Sequence, residues 1–239
     1  MIQVLLLIAV LALSLLPFFR FFRGSPHQLA SIAELEQSLP QELLDEDAAW
    51  FETWRASGID QEIKFRYFRQ ELSNECFSAA AAMVAAHWGK IQGLDEYNRI
   101  RERFGHTTSV QAQVKTLESL GLDVEFRTDA DSQMIELEIE MGRPVITGWI
   151  HSGPVSDAVP PSCNGAGCGH YSVITGFAAR HSSDPEWIMQ DPRGLPLLRE
   201  GGHDLTESGR NVRVRQAEFK ARFEVEGPQT GWVILVDGS

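Results

Sequence analysis

The stretch Phe77 to Trp88, FSAAAAMVAAHW, limits the fold more than any other part of this sequence. It is alanine-rich, apolar nearly all round, and stops before Gly89. A helix with no polar face has nowhere to go but the centre of a core, and alanine lets neighbouring elements approach its backbone closely. The chain must therefore wrap other elements around this helix. Asp95–Phe104, Ser109–Leu120 and Ser132–Met141 read as further helices, the last two ended by Gly121 and Gly142. Leu122–Arg127 reads as a short strand between them. Beyond Met141 the pattern changes. Pro144–Ile150, Tyr171–Phe177, Trp187–Gln190 and Trp232–Val236 are β-branched and aromatic runs bounded by Gly, Pro and Asp. Helices followed by strands predict an α+β domain with its central helix packed on an antiparallel sheet.

Ahead of that domain, residues 2–19 form one uncharged apolar run that ends at Arg20. Eighteen residues at about 1.5 Å each just span a hydrocarbon core of about 30 Å. No basic residue precedes the run, and Pro17-Phe18-Phe19 follows where a signal peptidase needs small residues. A single-pass membrane anchor over 1–23 is thus preferred to a cleaved, exported signal. Residues 24–54 hold seven acids and neither lysine nor arginine, and read as an acidic, partly helical spacer. The third segment, 55–239, has the size of one ordinary domain. The whole chain carries a net charge of -12. That field repels phosphate backbones and excludes nucleic acid as an expected partner.

Cys76 stands at the start of the buried helix, where unpaired N–H groups and the positive end of the dipole favour a thiolate. His170 heads a strand after the Gly/Pro/Ser loop 152–169, and Asp191 ends the next strand before Pro192. A thiolate nucleophile needs an imidazole within hydrogen-bond reach, and the imidazole needs a group that fixes its tautomer. Adjacent strands would bring His170 and Asp191 to one end of the sheet. For an oxyanion, the donors on offer are the Cys76 backbone N–H and the side chain of Gln70, six residues upstream.

Four ordered pieces carry a family resemblance. They are Gln70-Glu-Leu-Ser-Asn-Glu-Cys76 with its small-residue helix, Gly142-Arg-Pro-Val-Ile146, Gly169-His-Tyr-Ser-Val-Ile-Thr-Gly176 and Gln190-Asp-Pro192. In this order the chain resembles the C39-like peptidases of the papain-like superfamily over about half its length. The resemblance implies a papain-like fold and a thiol-dependent peptidase acting on a peptide or protein. Cys76 would be its nucleophile, His170 its acid and base, Asp191 the orienting residue and Gln70 the oxyanion donor, with no cofactor and no metal. The family includes leader-cleaving domains of bacteriocin exporters that cut after double glycine, but no ATP-binding P-loop occurs in this chain. Where the family usually has glycine after the nucleophile, this chain has Phe77, a ring expected to narrow the cleft or alter the approach to the oxyanion hole. A papain-like amidase or acyltransferase, and an inactive peptide-binding module, are the alternative readings.

Cys163, Cys168 and His170 form a C-x4-C-x-H arrangement that suggests zinc only with Cys76 as a fourth ligand, and it lacks the common paired-cysteine spacings. A disulfide between Cys163 and Cys168 is the more natural reading. His87, His106, His151, His181 and His203 are expected in ordinary helix or loop positions, with lining of the cleft as an alternative for His151, which begins the loop after the Pro144 strand. Trp149 and Trp187 are expected in the core. Gly201-Gly202 reads as a turn, with self-processing as an alternative.

Overall fold

The structure, a computed structural model, describes residues 58–155, 161 and 168–238. The expected anchor over 1–23 and acidic spacer over 24–54 lie outside the described residues. Among those described, no helix is long and apolar enough to cross a membrane.

The elements in chain order are β1 (Ile59–Glu62), α1 (Cys76–His87), α2 (Leu94–Arg101), α3 (Val110–Ser119), β2 (Asp123–Ala130), α4 (Ser132–Glu140), β3 (Val145–Ile150) and β4 (Gly169–Ala178), then β5 (Glu186–Gln190), β6 (Leu195–Pro196), β7 (His203–Asp204), β8 (Val212–Arg215), α5 (Gln216–Phe223) and β9 (Gly231–Asp237). An antiparallel sheet runs in the order β2-β9-β3-β4-β5-β8. β1 pairs with the C-terminal half of β4, on the edge that β3 leaves uncovered. The helix-then-sheet arrangement is as expected. β1, β6, β7, β8 and α5 add to it, and all but β1 fall in a stretch whose polar composition reads as loop.

The sheet is covered on both faces. Side chains alternate across a strand, so neighbours along β3, β4 and β9 serve opposite layers. Ile146, Val173 and Ile234 pack with α1–α3, whereas Val145, Ile174 and Val233 pack with α4 and α5. Helix α1 sits in the first layer as its composition demands, with every residue from Cys76 to Ala85 buried. Its few polar atoms are satisfied from neighbouring helices and loops. Tyr97 on α2 donates to Gln113 Oε1 (2.8 Å), and Gln113 Nε2 on α3 donates to Ser78 Oγ (3.0 Å) and to the Thr107 carbonyl (2.6 Å). A buried amide satisfied in this way sets the register of three helices as well as adding stability.

Phe77 does not face the cleft. It is buried at the top of α1 and stacks flat on Tyr171 of β4, with centroids 3.6 Å apart and planes 6° apart. The expectation that it narrows the cleft is corrected. The first turn of α1 turns this ring toward the sheet, where it forms an aromatic pair with Tyr171.

Candidate active site

Three local devices bring the cysteine to its partners. Glu75 precedes α1 and shapes the approach to it. Its carboxylate accepts the backbone N–H groups of Glu71 (3.0 Å) and Leu72 (3.3 Å) and the Asn98 amide (2.7 Å). Thus engaged, it holds the turn 71–75 closed. Cys76 follows as the first residue of α1, where the helix leaves backbone N–H groups without intrahelical partners. Gln70, on the far side of the turn, gives its backbone N–H to the Pro192 carbonyl (2.9 Å). This bond ties the oxyanion candidate to the corner that contains Asp191. The Gln70 amide donates to the Leu72 carbonyl (2.7 Å), leaving its second N–H available.

The sheet register places the other two residues. In the β4–β5 pairing Val173 stands opposite Gln190, so the residue just past β5 arrives beside Ser172. That residue is Asp191, fully buried. It accepts from His170 Nε2 through both oxygens (2.9 Å each) and from Ser172 Oγ (2.8 Å). Its backbone is fixed as well. Its N–H donates to the Gly209 carbonyl (2.8 Å) and its carbonyl accepts the Tyr67 hydroxyl (2.9 Å). A Cβ at position 209 would overlap that same Asp191 carbonyl, so glycine is required there for the close approach. The pairing of His170 with Asp191 at one end of the sheet is therefore as the sequence predicts.

His170 turns its other ring nitrogen to Cys76, which also receives the Tyr171 backbone N–H. Burial pushes the Cys76 thiol up. The His170 hydrogen bond and charge, helped by the Tyr171 N–H, outweigh burial and hold it below the ordinary thiol range. The imidazole moves the opposite way. Burial lowers His170, but the charge and hydrogen bond of Asp191, followed by those of Cys76, raise it to about 9. Burial alone would raise Asp191, and the two histidines beside it keep it well below the usual carboxylate range. Thiol down and imidazole up is the condition under which a thiolate–imidazolium pair is the resting state at neutral pH.

Two residues expected in ordinary positions belong to this corner. His203 Nε2 lies 3.2 Å from Asp191 Oδ2, its side chain buried, and its ring centroid is 4.4 Å from that of His170. His151 is the next ring out, 5.5 Å from His170 and 5.4 Å from His203. No local pattern marks either one, because both are delivered by loops fastened to each other. The Gly202 N–H donates to the His151 carbonyl (2.6 Å). Gly201, at φ +89°, lies where a Cβ would come within 2.5 Å of the Gly153 carbonyl oxygen. The double glycine is thus a turn, as expected, and it is what lets the two loops touch. Trp149, buried as expected, stands edge-on to His170 and donates to Ser172 Oγ (3.0 Å). Trp187 is also in the core. Of the cysteines weighed as zinc ligands, Cys168 is disulfide-bonded and Cys76 is free. Cys163 lies outside the described residues.

Beside His170 opens a cavity of about 260 Å³ lined in part by Gly148, Tyr171, Phe223, Val225 and Trp232. Its wall is mainly apolar, with Glu226 at the edge.

The stretch of sequence that holds this corner matches a known family. The model of the papain-like cysteine protease AvrRpt2 matches residues 58–202, more than half the chain. The chain belongs to this papain-like cysteine protease family. The match takes in Cys76, His170 and Asp191 and ends one residue before His203. Among solved structures, a C39-like peptidase from Bacillus anthracis shares the fold at TM-score 0.51 and 13% identity, covering 74% of this chain and 98% of that one. A double glycine motif protease from an AMS/PCAT transporter, solved with its leader peptide, has 18% identity and TM-score 0.45 over 74% of this chain and 94% of that one. The peptidase domain of Streptococcus ComA, a bi-functional ABC transporter, has 18% identity and TM-score 0.45 over 72% and 98%. No curated protein matches. The chain is a papain-like cysteine peptidase with a C39-like fold.

Proposed function

We propose that this peptidase cleaves peptide bonds through a thioester formed on Cys76. The observation that carries the reading is the series of contacts Cys76 to His170 to Asp191, with the thiol shifted down and the imidazole up. The Cys76 thiolate attacks the scissile carbonyl carbon, and the carbonyl electrons move onto oxygen. In this reading the Cys76 backbone N–H and the second N–H of Gln70 receive that charge. As the tetrahedral species collapses, the C–N bond breaks and the proton on His170 passes to the leaving amine. Water then attacks the thioester with His170 taking its proton, the C–S bond breaks, and the acid product leaves a thiolate paired with imidazolium. Asp191 keeps its proton-free form throughout, orienting the ring through Nε2. The cavity beside His170 offers an apolar site for a substrate side chain. In the same reading, residues 2–19 tether the enzyme to a membrane.

The test is labelling of the full chain with a peptide bearing a thiol-directed electrophile, together with a fluorogenic peptide library. Labelling is expected at Cys76 alone, faster than for a free exposed thiol, and absent in Cys76→Ala. The same substitution should abolish cleavage of the library. Labelling no faster than that of free cysteine would remove the nucleophile from the proposal. Fast labelling without cleavage, but with transfer to an added amine, would favour the acyltransferase reading. Fractionation of the cells and protease accessibility test the tether.

A further inference from the structure

Asp191 is shared by two imidazoles, and only one of them is needed for the proposed chemistry. The Nε2 atom of His170 is 2.9 Å from the carboxylate, that of His203 is 3.2 Å from it, and all three donor atoms lie within 4.8 Å of one another. A four-coordinate zinc at about 2.0–2.1 Å from its ligands sets donors about 3.3 Å apart. The present separations differ from that by a few tenths of an ångström on the two carboxylate edges. All three side chains are buried, at 1%, 0% and 0% exposure.

The surroundings are those of a metal ligand set. Ligating carboxylates and imidazoles are commonly oriented by outer hydrogen bonds. Here Ser172 Oγ donates to Asp191 Oδ2 (2.8 Å) and the Arg193 backbone N–H donates to Oδ1 (2.8 Å). His170 has the Cys76 sulfur on its other nitrogen. His203 Nδ1 is buried and has no partner among the described residues. The charge is also of the right sign: the Asp191 carboxylate stands between two imidazoles that are neutral once ligated.

The geometry points to His170, Asp191 and His203 as an inhibitory site for a divalent transition metal ion such as Zn2+ or Co2+. The ion replaces the two Nε2 protons now directed at Asp191. Each imidazole then carries its single proton on Nδ1, and any further proton on His170 is released to solvent. Two nitrogen ligands and one oxygen ligand leave a fourth position for water. With Nε2 on the metal, His170 no longer alternates between imidazole and imidazolium, so turnover stops until the ion leaves. The inhibition rests on the peptidase reading, whereas the binding does not.

The experiment uses the full chain carrying Cys76→Ala, which removes the thiolate as a competing ligand. Co2+ is titrated by visible absorption and Zn2+ by calorimetry. One ion per chain is expected, with a four-coordinate cobalt spectrum. Losing an outer-shell partner alone costs about 10–100-fold in metal affinity. Adding His203→Gln, which keeps a donor for Asp191 but removes a nitrogen ligand, should therefore weaken binding by about 100-fold or more. Adding Asp191→Asn instead should do the same, and Zn2+ should raise the thermal midpoint of Cys76→Ala but of neither double variant. Unchanged affinity in both double variants, or no binding to Cys76→Ala at all, overturns the site. Metal binding to Cys76→Ala, with no cleavage by the metal-free chain that keeps Cys76, would overturn the peptidase reading and leave this one intact. Cleavage by a chain that binds no ion does the reverse.

Discussion

Replacing Asp191 with asparagine removes one charge and almost no volume. The Asn carbonyl oxygen can still accept from His170 Nε2 and the Arg193 N–H, and the Ser172 hydroxyl can reverse to accept from the new amide. The fold should survive, so what is lost is electrostatic. His170 stands at about 9 against an ordinary 6.5. At about 1.4 kcal/mol per pH unit, that is about 3 kcal/mol in favour of imidazolium. Two groups supply it against the opposing effect of burial, and Asp191 is the larger contributor. Removing the larger of the two contributions should lower the population of the thiolate–imidazolium pair by about tenfold or more. The assay is the rate of iodoacetamide alkylation of Cys76 between pH 5 and 9, read by intact mass with Cys76→Ala as the blank. For Asp191→Asn the alkylation rate near neutral pH, which follows the share of the pair held as thiolate and imidazolium, should fall by about tenfold or more. An undiminished rate near neutral pH, in a variant whose thermal midpoint confirms folding, would show that Asp191 does not hold the imidazole charged. The electrostatic account of the site would then be wrong.

Other outcomes follow from the same contacts. The pH dependence of kcat/KM should be bell-shaped, falling above about 9 as His170 loses its proton and rising from an acid limb below the ordinary thiol range of about 8.5. A single acid limb at that ordinary value would refute the ion pair. Stability should follow the same groups. The raised His170 contributes in full below about 6.5, and its contribution is lost as pH rises through about 9. The depressed Asp191 contributes above about 4, and its contribution is lost as pH falls toward its lowered value. Denaturant titrations at pH 7 and pH 10 check the first. Phe77→Ala removes a fully buried ring from its stack on Tyr171 and should cost about 3–5 kcal/mol in urea unfolding. A cost under about 1 kcal/mol would mean that the ring is not a core element. Arg222→Met withdraws the guanidinium that donates to the Leu198 (2.5 Å), Ile150 (2.9 Å) and Gly153 (2.7 Å) carbonyls. Each carbonyl left buried without a partner costs about 1–3 kcal/mol. Limited proteolysis should then cut first near 151–153 or 198–202, and unchanged protection there would refute the clamp.

Much of this architecture is legible because the residues concerned state their own environment. FSAAAAMVAAHW has no side that tolerates water, and its burial from Cys76 to Ala85 follows. His170 and Asp191 meet because two apolar strands flank them in a predictable antiparallel order. The elements that are not legible are short or set in polar sequence. Val212-Arg-Val-Arg215 does alternate, with Val212 and Val214 buried and the arginines exposed, but four residues inside a polar stretch give a weak period. In α5 only Phe219, Arg222 and Phe223 are buried, and the arginine in that stripe hides the helix from a hydrophobic pattern. β6 and β7 are two residues each, too short for any periodicity.

His203 shows what such a failure implies about the site. Its position depends on three long-range conditions: the backbone contact between the Gly201 and Gly153 loops, the Gly202 N–H on the His151 carbonyl, and the Arg222 side chain bridging both loops. None of these is visible within a window of a dozen residues. Cys76, His170 and Asp191 are set by a helix start and a strand pairing, elements that a fold supplies wherever it forms. His203 is set by loop-to-loop fastening that this chain must encode separately, at a glycine, an arginine and a histidine far apart in sequence. The orienting carboxylate thus stands where the two kinds of encoding meet, held by β4 on one side and by the fastened loops on the other. It follows that loosening the loops at Arg222 should disturb His203 first, and His170 only through Asp191. In Arg222→Met the His203 imidazole resonance should therefore shift and broaden while that of His170 keeps its titration near pH 9. Equal disturbance of both would mean that the loops support the whole corner directly.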